Sequence, residues 1–323
     1  MKILRILGRI IIVLLLVIIL LVAVIFGIRM WNQSSATNVQ LDNRPPDTAG
    51  VAITEFTGDY ARGFHLVPEQ RKHPGTVVVF GGSDGTTNAR LAAKIAEDGR
   101  EVYALNFFGQ PGQQEYLESV PLELFEDVLP HASKPISVVG ASKGSELALL
   151  LSTYYPEIDN VALIAPGAHH WQGLAASQQA TPSFTWEGKE IPFISFNNAD
   201  PKVLLNQGWR MMIAAPVALV NTYSSALANT PEADREKARI KVENSKARIF
   251  IVAGKQDQMW DSAGAAELIQ EHAGDRTEIH LYPDAGHAVF APPEVGTFVL
   301  GGSEEANAAM GKDALEKLLK WLP

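Results

Sequence analysis

No cysteine occurs among the 323 residues, which together excludes disulfides, thiolate-bound zinc, iron–sulfur clusters and a thiol nucleophile. The absence fits an oxidising compartment without requiring one. Acids are missing from the first 30 residues, which hold Lys2, Arg5, Arg9 and Arg29. The other 293 residues therefore carry 23 basic against 36 acidic side chains, a formal −13. Past the extreme N-terminus there is no Lys/Arg cluster. Phosphate backbones need a concentrated basic surface, so a nucleic-acid partner is excluded. A body of this length can bury one large core, and a single large α/β domain fits it as well as two small ones.

What is present in excess is one apolar run, Ile10 to Ile28, nineteen residues without a charge. At helical rise it reaches about 28 Å, close to the roughly 30 Å hydrocarbon core of a bilayer. It reads as a transmembrane signal-anchor helix over residues 10–29, behind a tail of residues 1–9. A cleaved secretory signal is the alternative, with Ser34-Ser35-Ala36 as the only candidate cleavage site. Lys2, Arg5 and Arg9 leave the N-terminus cytoplasmic, so the body faces outward. Residues 30–50 turn polar around Pro45-Pro46 and read as a tether, with Trp31 suited to the membrane interface.

From Val51 onward, short β-rich runs alternate with helical patterns, which predicts a mostly parallel sheet. Strands are expected at Val51–Thr57, Tyr60–Val67, Thr76–Phe80, Glu101–Phe107, Ile136–Val139, Val161–Ala165, Arg248–Ala253 and Glu278–Tyr282. Helices are expected at Pro121–Leu129, Ser145–Tyr155 and Glu304–Leu322. Between Pro166 and Lys246 the rhythm breaks: no clear strand is seen, and Trp, Phe, Met and His are scattered through it. An insertion of about residues 167–246 is expected to form a lid within a domain of residues 51–323.

Chemistry enters after the Ile136–Val139 run, at Gly140-Ala141-Ser142-Lys143-Gly144. Gly-x-Ser-x-Gly between a strand and a helix places a serine on a sharp, exposed turn whose crowding the glycines relieve. An ordinary tight turn is the bland alternative. A nucleophilic Ser142 needs a base and an acid to orient it, following in the order Ser, Asp, His. Asp257 lies just past the Arg248–Ala253 strand, at the carboxyl edge where open α/β sheets build sites. Asp261 competes with it but is explained as a helix N-cap. His287 follows the Glu278–Tyr282 strand on a loop from which it can reach Ser142; the other histidines precede the nucleophile, border turns, or fall within a helix, a strand or the insertion. Two backbone donors for an oxyanion are expected from Lys143 and from Gly82 or Ser83 in Phe80-Gly81-Gly82-Ser83-Asp84-Gly85. That loop lacks the endings of a phosphate-binding or dinucleotide-binding motif. His169, His170, Trp171 and Trp260 are candidate substrate contacts, with packing as the competing role. No metal site is indicated and no cofactor is required.

Four stretches in order, Val78–Gly85, Tyr103–Gly109, Gly140–Leu147 and Gln256–Trp260, resemble the C-terminal catalytic domain of the acyl-CoA thioesterase and bile acid-CoA:amino acid N-acyltransferase family. The Ser-Lys-Gly-x-Glu-Leu and Asp-Gln-x-Trp stretches are its most specific parts, and the match spans about Thr76 to Phe290. The resemblance implies an α/β-hydrolase fold with Ser142 as nucleophile, Asp257 as acid and His287 as base. Two departures accompany it. Members acting on acyl-CoA usually carry an N-terminal β-sandwich, for which Trp31 to His73 is too short, so substrate selection is expected to differ. The amino-acid-conjugating members look to use a cysteine nucleophile, so Ser142 favours hydrolysis over N-acyl transfer.

The sequence thus predicts a membrane-anchored serine hydrolase acting on a small-molecule acyl ester or thioester. An acyltransferase using the same acyl-enzyme, a binding protein on a hydrolase fold, and a protease are the alternatives. An outward-facing body would not meet cytosolic CoA thioesters.

Overall fold

Eight of the apolar runs hydrogen-bond into one sheet. They are β1 (Val51–Thr57), β2 (Arg62–Pro68), β3 (Thr76–Phe80), β4 (Glu101–Asn106), β5 (Ile136–Ala141), β6 (Ile158–Ile164), β7 (Arg248–Gly254) and β8 (Thr277–Tyr282). Their order across the sheet is β1-β2-β4-β3-β5-β6-β7-β8. The β1–β2 and β2–β4 pairs are antiparallel and every later neighbour is parallel. The expected mostly parallel α/β architecture is therefore the one adopted. This computed structural model describes residues 2–37, 43–175, 179–289 and 292–323, with side chains from Ile6 onward. Part of the expected tether (38–42), part of the expected lid (176–178), the side chains of Lys2 and Arg5, and Phe290 at the end of the resemblance lie outside the described residues.

Strands buried on both faces need helices on both faces. On one side α3 (Lys143–Tyr154) and α7 (Ser262–Ala273) bury Leu147, Leu151, Ala266 and Ile269 against Val78, Val138, Leu163 and Ile251. On the other, α2 (Ala89–Glu97) and α8 (Glu304–Trp321) bury Ile95, Met310, Leu318 and Trp321 against Val77, Val79, Val102 and Phe250. The pleat explains the division, since Val78 and its neighbours Val77 and Val79 point to opposite faces.

Some boundaries move for identifiable reasons. Strand β2 begins at Arg62 rather than Tyr60, because the Asp127 carboxylate accepts the amide protons of Tyr60 and Ala61 at 2.8 and 2.7 Å and withholds them from the ladder. The expected helix at Pro121–Leu129 is instead two 3₁₀ turns, Leu122–Phe125 and Leu129–His131. The Asp127 carboxylate is held by the amides of Tyr60 and Ala61, and Pro130 has no amide proton with which to continue an α-helical ladder.

Segment 167–246 is not free of strands. Phe184–Trp186 pairs with Val120–Pro121 and with Lys189–Glu190 in a small three-stranded sheet. The segment continues as α4 (Pro201–Met212), α5 (Val220–Asn229) and α6 (Glu232–Ala238). At the N-terminus, α1 runs from Lys2 to Ser35, beyond the expected end at residue 29, and from Ile6 it is long and apolar enough to cross a membrane. Its last turns are held by the body: Arg29 Nη1 and Asn32 Nδ2 donate to the carbonyls of Met212 and Ile213 at 2.9 and 2.8 Å. Asn43, expected in the tether, is docked on the body, where its carbonyl accepts from Thr87 Oγ1 at 2.6 Å.

Candidate active site

Four loops leave the carboxyl ends of β3, β5, β7 and β8 on one edge of the sheet, the edge where such sheets build their sites. The β5 loop is the tightest. Ser142 has φ 57° and ψ −123°, a conformation that an L-residue adopts only under constraint from its surroundings. The Ser142 amide donates to Ile164 O at 2.9 Å, and its carbonyl accepts the Ser145 amide at 2.9 Å. A Cβ at Gly140 would stand 2.0 Å from Gly144 O, and one at Gly144 would stand 1.9 Å from Gly81 O. Both glycines are thus required for β5, α3 and the β3 loop to approach one another.

The structure brings the three residues predicted from separate loops together. His287 Nε2 lies 2.9 Å from Ser142 Oγ and its Nδ1 lies 2.8 Å from Asp257 Oδ2. A carboxylate accepts only, so the neutral imidazole carries its proton on Nδ1, and Nε2 is left to accept the serine hydroxyl proton. Asp257 Oδ1 accepts the amides of Met259 and Trp260 at 2.8 and 3.2 Å. Ser142 is half-buried and therefore reachable, whereas Asp257 and His287 are buried. Asp261 does what its position predicts: its Oδ1 accepts the Gly264 amide at 2.8 Å as the N-cap of α7.

The residues expected to supply oxyanion donors lie beside the serine. Lys143 is the first residue of α3, where the amide has no intrahelical acceptor. Gly82 is buried against Ser142, with its ideal Cβ position 3.1 Å from Ser142 Cβ and 3.4 Å from Oγ. Ser83, the next residue, is exposed.

The four expected substrate contacts divide. Trp260 packs edge-on to the His287 ring at 4.5 Å, and its indole N–H donates to Pro166 O at 2.9 Å, fixing one wall beside the imidazole. Trp171 and His170 are taken up by packing and hydrogen bonds within the body, and His169 is half-buried. Trp171 is buried against Phe196 and Tyr223. His169 pairs by its backbone with Arg239. His170 is fully enclosed, its Nε2 accepting the Phe184 amide and its Nδ1 donating to Pro192 O, both at 3.1 Å, so neither nitrogen is free for a ligand. Burial pushes His170 down to about 3 and, more than the neighbouring cations, His169 down to about 4.

Sequence reasoning passed over two supports. Lys143 Nζ is buried and bonds Glu146 Oε2 at 2.6 Å, while Glu146 Oε1 accepts the Trp171 amide at 3.0 Å, tying the first turn of α3 to the start of the insertion. Burial drives the Lys143 pKa down and the Glu146 pKa up, and their mutual attraction opposes both shifts. The Lys-Gly-x-Glu spacing, one helical turn, carries the signal for this pair. The second support is Asn307, fully buried in α8, whose Oδ1 accepts the Gly286 amide at 2.8 Å and fixes the residue before His287. A lone Asn on the apolar face of that helix is its sequence signature.

Known proteins converge on the same reading of the fold. EstE5, in a crystal soaked with ethyl alcohol, aligns over 92% of this chain and 96% of its own with TM-score 0.52 at 11% identity. An ester hydrolase from the metagenome of Lake Arreo aligns over 91% and 87% with TM-score 0.51 at 13% identity. At such identities the likeness is one of fold, the α/β-hydrolase fold. In sequence the chain is 26% identical over 275 residues to acyl-coenzyme A thioesterase 1 of Homo sapiens, covering 78% of this chain and 60% of that one. The mitochondrial acyl-coenzyme A thioesterase 2 of Mus musculus is also 26% identical over 275 residues, with 55% of its length covered. The chain thus spans little more than half the length of these relatives. The family model described as BAAT / acyl-CoA thioester hydrolase C terminal matches residues 120–311, an interval that holds Ser142, Asp257 and His287. With more than half of its length inside that match, the chain belongs to the BAAT / acyl-CoA thioester hydrolase C-terminal family.

Proposed function

We propose that this protein is a serine hydrolase that cleaves an acyl ester or thioester through an acyl-Ser142 intermediate, and that α1 anchors it in a membrane with the body on the extracytoplasmic side. The observation that carries the chemistry is His287 standing between Ser142 Oγ at 2.9 Å and Asp257 Oδ2 at 2.8 Å. As Oγ attacks the acyl carbon, Nε2 takes its proton and the carbonyl pair moves onto oxygen, where the amides of Lys143 and Gly82 receive it. Asp257 stabilises the resulting imidazolium. Collapse expels the alcohol or thiol, which leaves with the proton from Nε2. Water then repeats the sequence on the acyl-serine and releases the acid.

Family membership supports the acyl substrate class, and the serine in place of a thiol supports water as the acceptor. The anchor reading rests on the uninterrupted apolar surface of α1 from Ile10 to Ile28, none of it buried by the body over its most apolar stretch. The three basic residues before it support the orientation.

Treating the full-length protein with a fluorophosphonate and mapping the adduct by mass spectrometry tests the chemistry. The adduct is expected on Ser142 and absent from Ser142→Ala. A folded protein that takes no adduct, or takes it elsewhere, overturns the assignment. With an adduct in hand, p-nitrophenyl esters compared with acyl-CoAs separate ester from thioester preference, and added alcohols or amines that capture the acyl group would assign transfer instead of hydrolysis.

A further inference from the structure

Helix α4 carries apolar residues on two sides: Leu204 packs against the buried cluster of Trp171, Ile194 and Tyr223, and a second apolar stripe faces away from the body. A surface helix of a water-facing protein turns polar residues outward. Here Gln207 and Arg210 face the body: Gln207 Oε1 accepts from Thr222 Oγ1 on α5, and Arg210 Nε donates to Pro216 O at 2.6 Å. Leu205, Trp209 and Met212, spaced by four and three residues and hence on one face, point outward. Leu205 is 75% exposed and Trp209 48%. What covers this stripe is indicated by its neighbour. The apolar run of α1 ends at Ile28, and the very next residue, Arg29, holds the carbonyls of Met211 and Met212 at the C-terminal end of α4. Asn32 holds Ile213, and between them Trp31 is 74% exposed. The outward stripe of α4 therefore begins at the level where a membrane-spanning α1 leaves the hydrocarbon, flanked by two tryptophans, the side chain that favours that level.

Resting on the anchor reading above, we infer that the Leu205–Trp209–Met212 face of α4 docks on the surface of the bilayer that α1 crosses, seating the body there so that amphiphilic acyl substrates reach the site from lipid. The face connects to the site by packing. Asp200 N donates to Ser225 Oγ on α5 at 3.1 Å, Tyr223 of α5 packs on Trp260 at 5.2 Å, and Trp260 packs on His287.

The cysteine-free chain allows one introduced thiol to be labelled uniquely. Full-length Trp209→Cys, Leu205→Cys, Val17→Cys and Lys134→Cys, each carrying a nitrobenzoxadiazole probe, are reconstituted in phosphatidylcholine vesicles. The vesicles contain a spin-labelled phosphatidylcholine with its nitroxide near the glycerol backbone, and a matched set carries the nitroxide deep in the acyl chain. Lys134 is exposed ahead of β5, at the opposite edge of the sheet. Blue-shifted emission and quenching by the shallow nitroxide are expected at 205 and 209, quenching by the deep nitroxide at 17, and neither at 134. Quenching at 17 with probes at 205 and 209 behaving like 134 overturns the docking face alone. No quenching at 17 overturns the anchor, and the docking face with it. A blue shift at 209 without lipid quenching, in a particle of twice the mass, assigns the stripe to a second copy and also overturns the proposal. In activity, the L205D/W209D/M212D variant should hydrolyse a bilayer-embedded ester about tenfold more slowly while leaving a soluble short-chain ester unaffected. Equal loss on both substrates would count against lipid docking.

Discussion

Asp257 holds His287 with one carboxylate oxygen and its own loop with the other. Oδ2 accepts Nδ1–H at 2.8 Å, while Oδ1 accepts the Met259 and Trp260 amides at 2.8 and 3.2 Å. An asparagine can keep the loop bonds yet present an NH2 group to Nδ1, forcing the imidazole proton onto Nε2, where it can no longer accept from Ser142. Asp257→Asn is therefore expected to lower kcat by about 10⁴-fold with the fold intact. Steady-state kinetics beside circular dichroism check this, and a loss smaller than about tenfold would remove Asp257 from the role assigned to it.

The pair Lys143–Glu146 is 1% and 3% exposed, so each charge depends on the other. Glu146→Gln strands a buried ammonium and should cost about 3–5 kcal/mol of stability in urea unfolding. Replacing both, as Lys143→Met with Glu146→Leu, should recover most of that loss, because no uncompensated charge remains. Equal destabilisation by the single and double variants would show that the charges are not what the site requires.

Acid should destabilise the protein through His170. Its folded-state pKa is depressed to about 3, chiefly by burial, while the unfolded chain takes up the proton near 6.5. The neutral ring's contribution is thus complete above about pH 6.5 and is lost progressively as pH falls toward 3, at up to about 1.4 kcal/mol per pH unit. Denaturant unfolding between pH 7 and 5 should give a slope shallower by about that amount for His170→Gln, with His169 contributing the same sign in both proteins. Identical slopes would mean that His170 titrates in the folded state.

Gly82 leaves the space beside Ser142 open. A methyl group there would come within 3.1 Å of Ser142 Cβ, where the tetrahedral carbon and its oxygen must sit. Gly82→Ala should reduce kcat by about 10²–10³-fold, the scale of losing one oxyanion donor, with KM and melting temperature little changed. Full activity in that variant would show that the reacting group does not use the space into which the methyl projects.

The sheet was legible because its strands are short, rich in β-forming residues and bounded by Gly, Pro or Asp; β1 and β3 are found at the ends expected for them. The segment at Pro121–Leu129 was less so, because apolar Leu122, Leu124, Phe125 and Val128 beside polar Glu123, Glu126 and Asp127 match helical spacing although the backbone closes into 3₁₀ turns. Ser142, Asp257 and His287 were each readable from the loop that follows a strand. His170 was not, since an adjacent pair of histidines reads alike whether its nitrogens meet a ligand or the backbone of Phe184 and Pro192.

Local pattern alone decided the strand order along the chain, the elbow at Gly140–Gly144 and the apolar length of α1, because period, glycine placement and run length are properties of contiguous residues. Only the folded chain brings His287 to Ser142: 145 positions separate them, and the sheet's carboxyl edge closes that gap to 2.9 Å. The same holds for the outward stripe of α4. The sequence does not show which way Leu205, Trp209 and Met212 face; Leu204 takes an inward place by packing on the cluster of Trp171 and Tyr223, and Gln207 and Arg210 take theirs through the hydrogen-bond partners that α5 and Pro216 offer them.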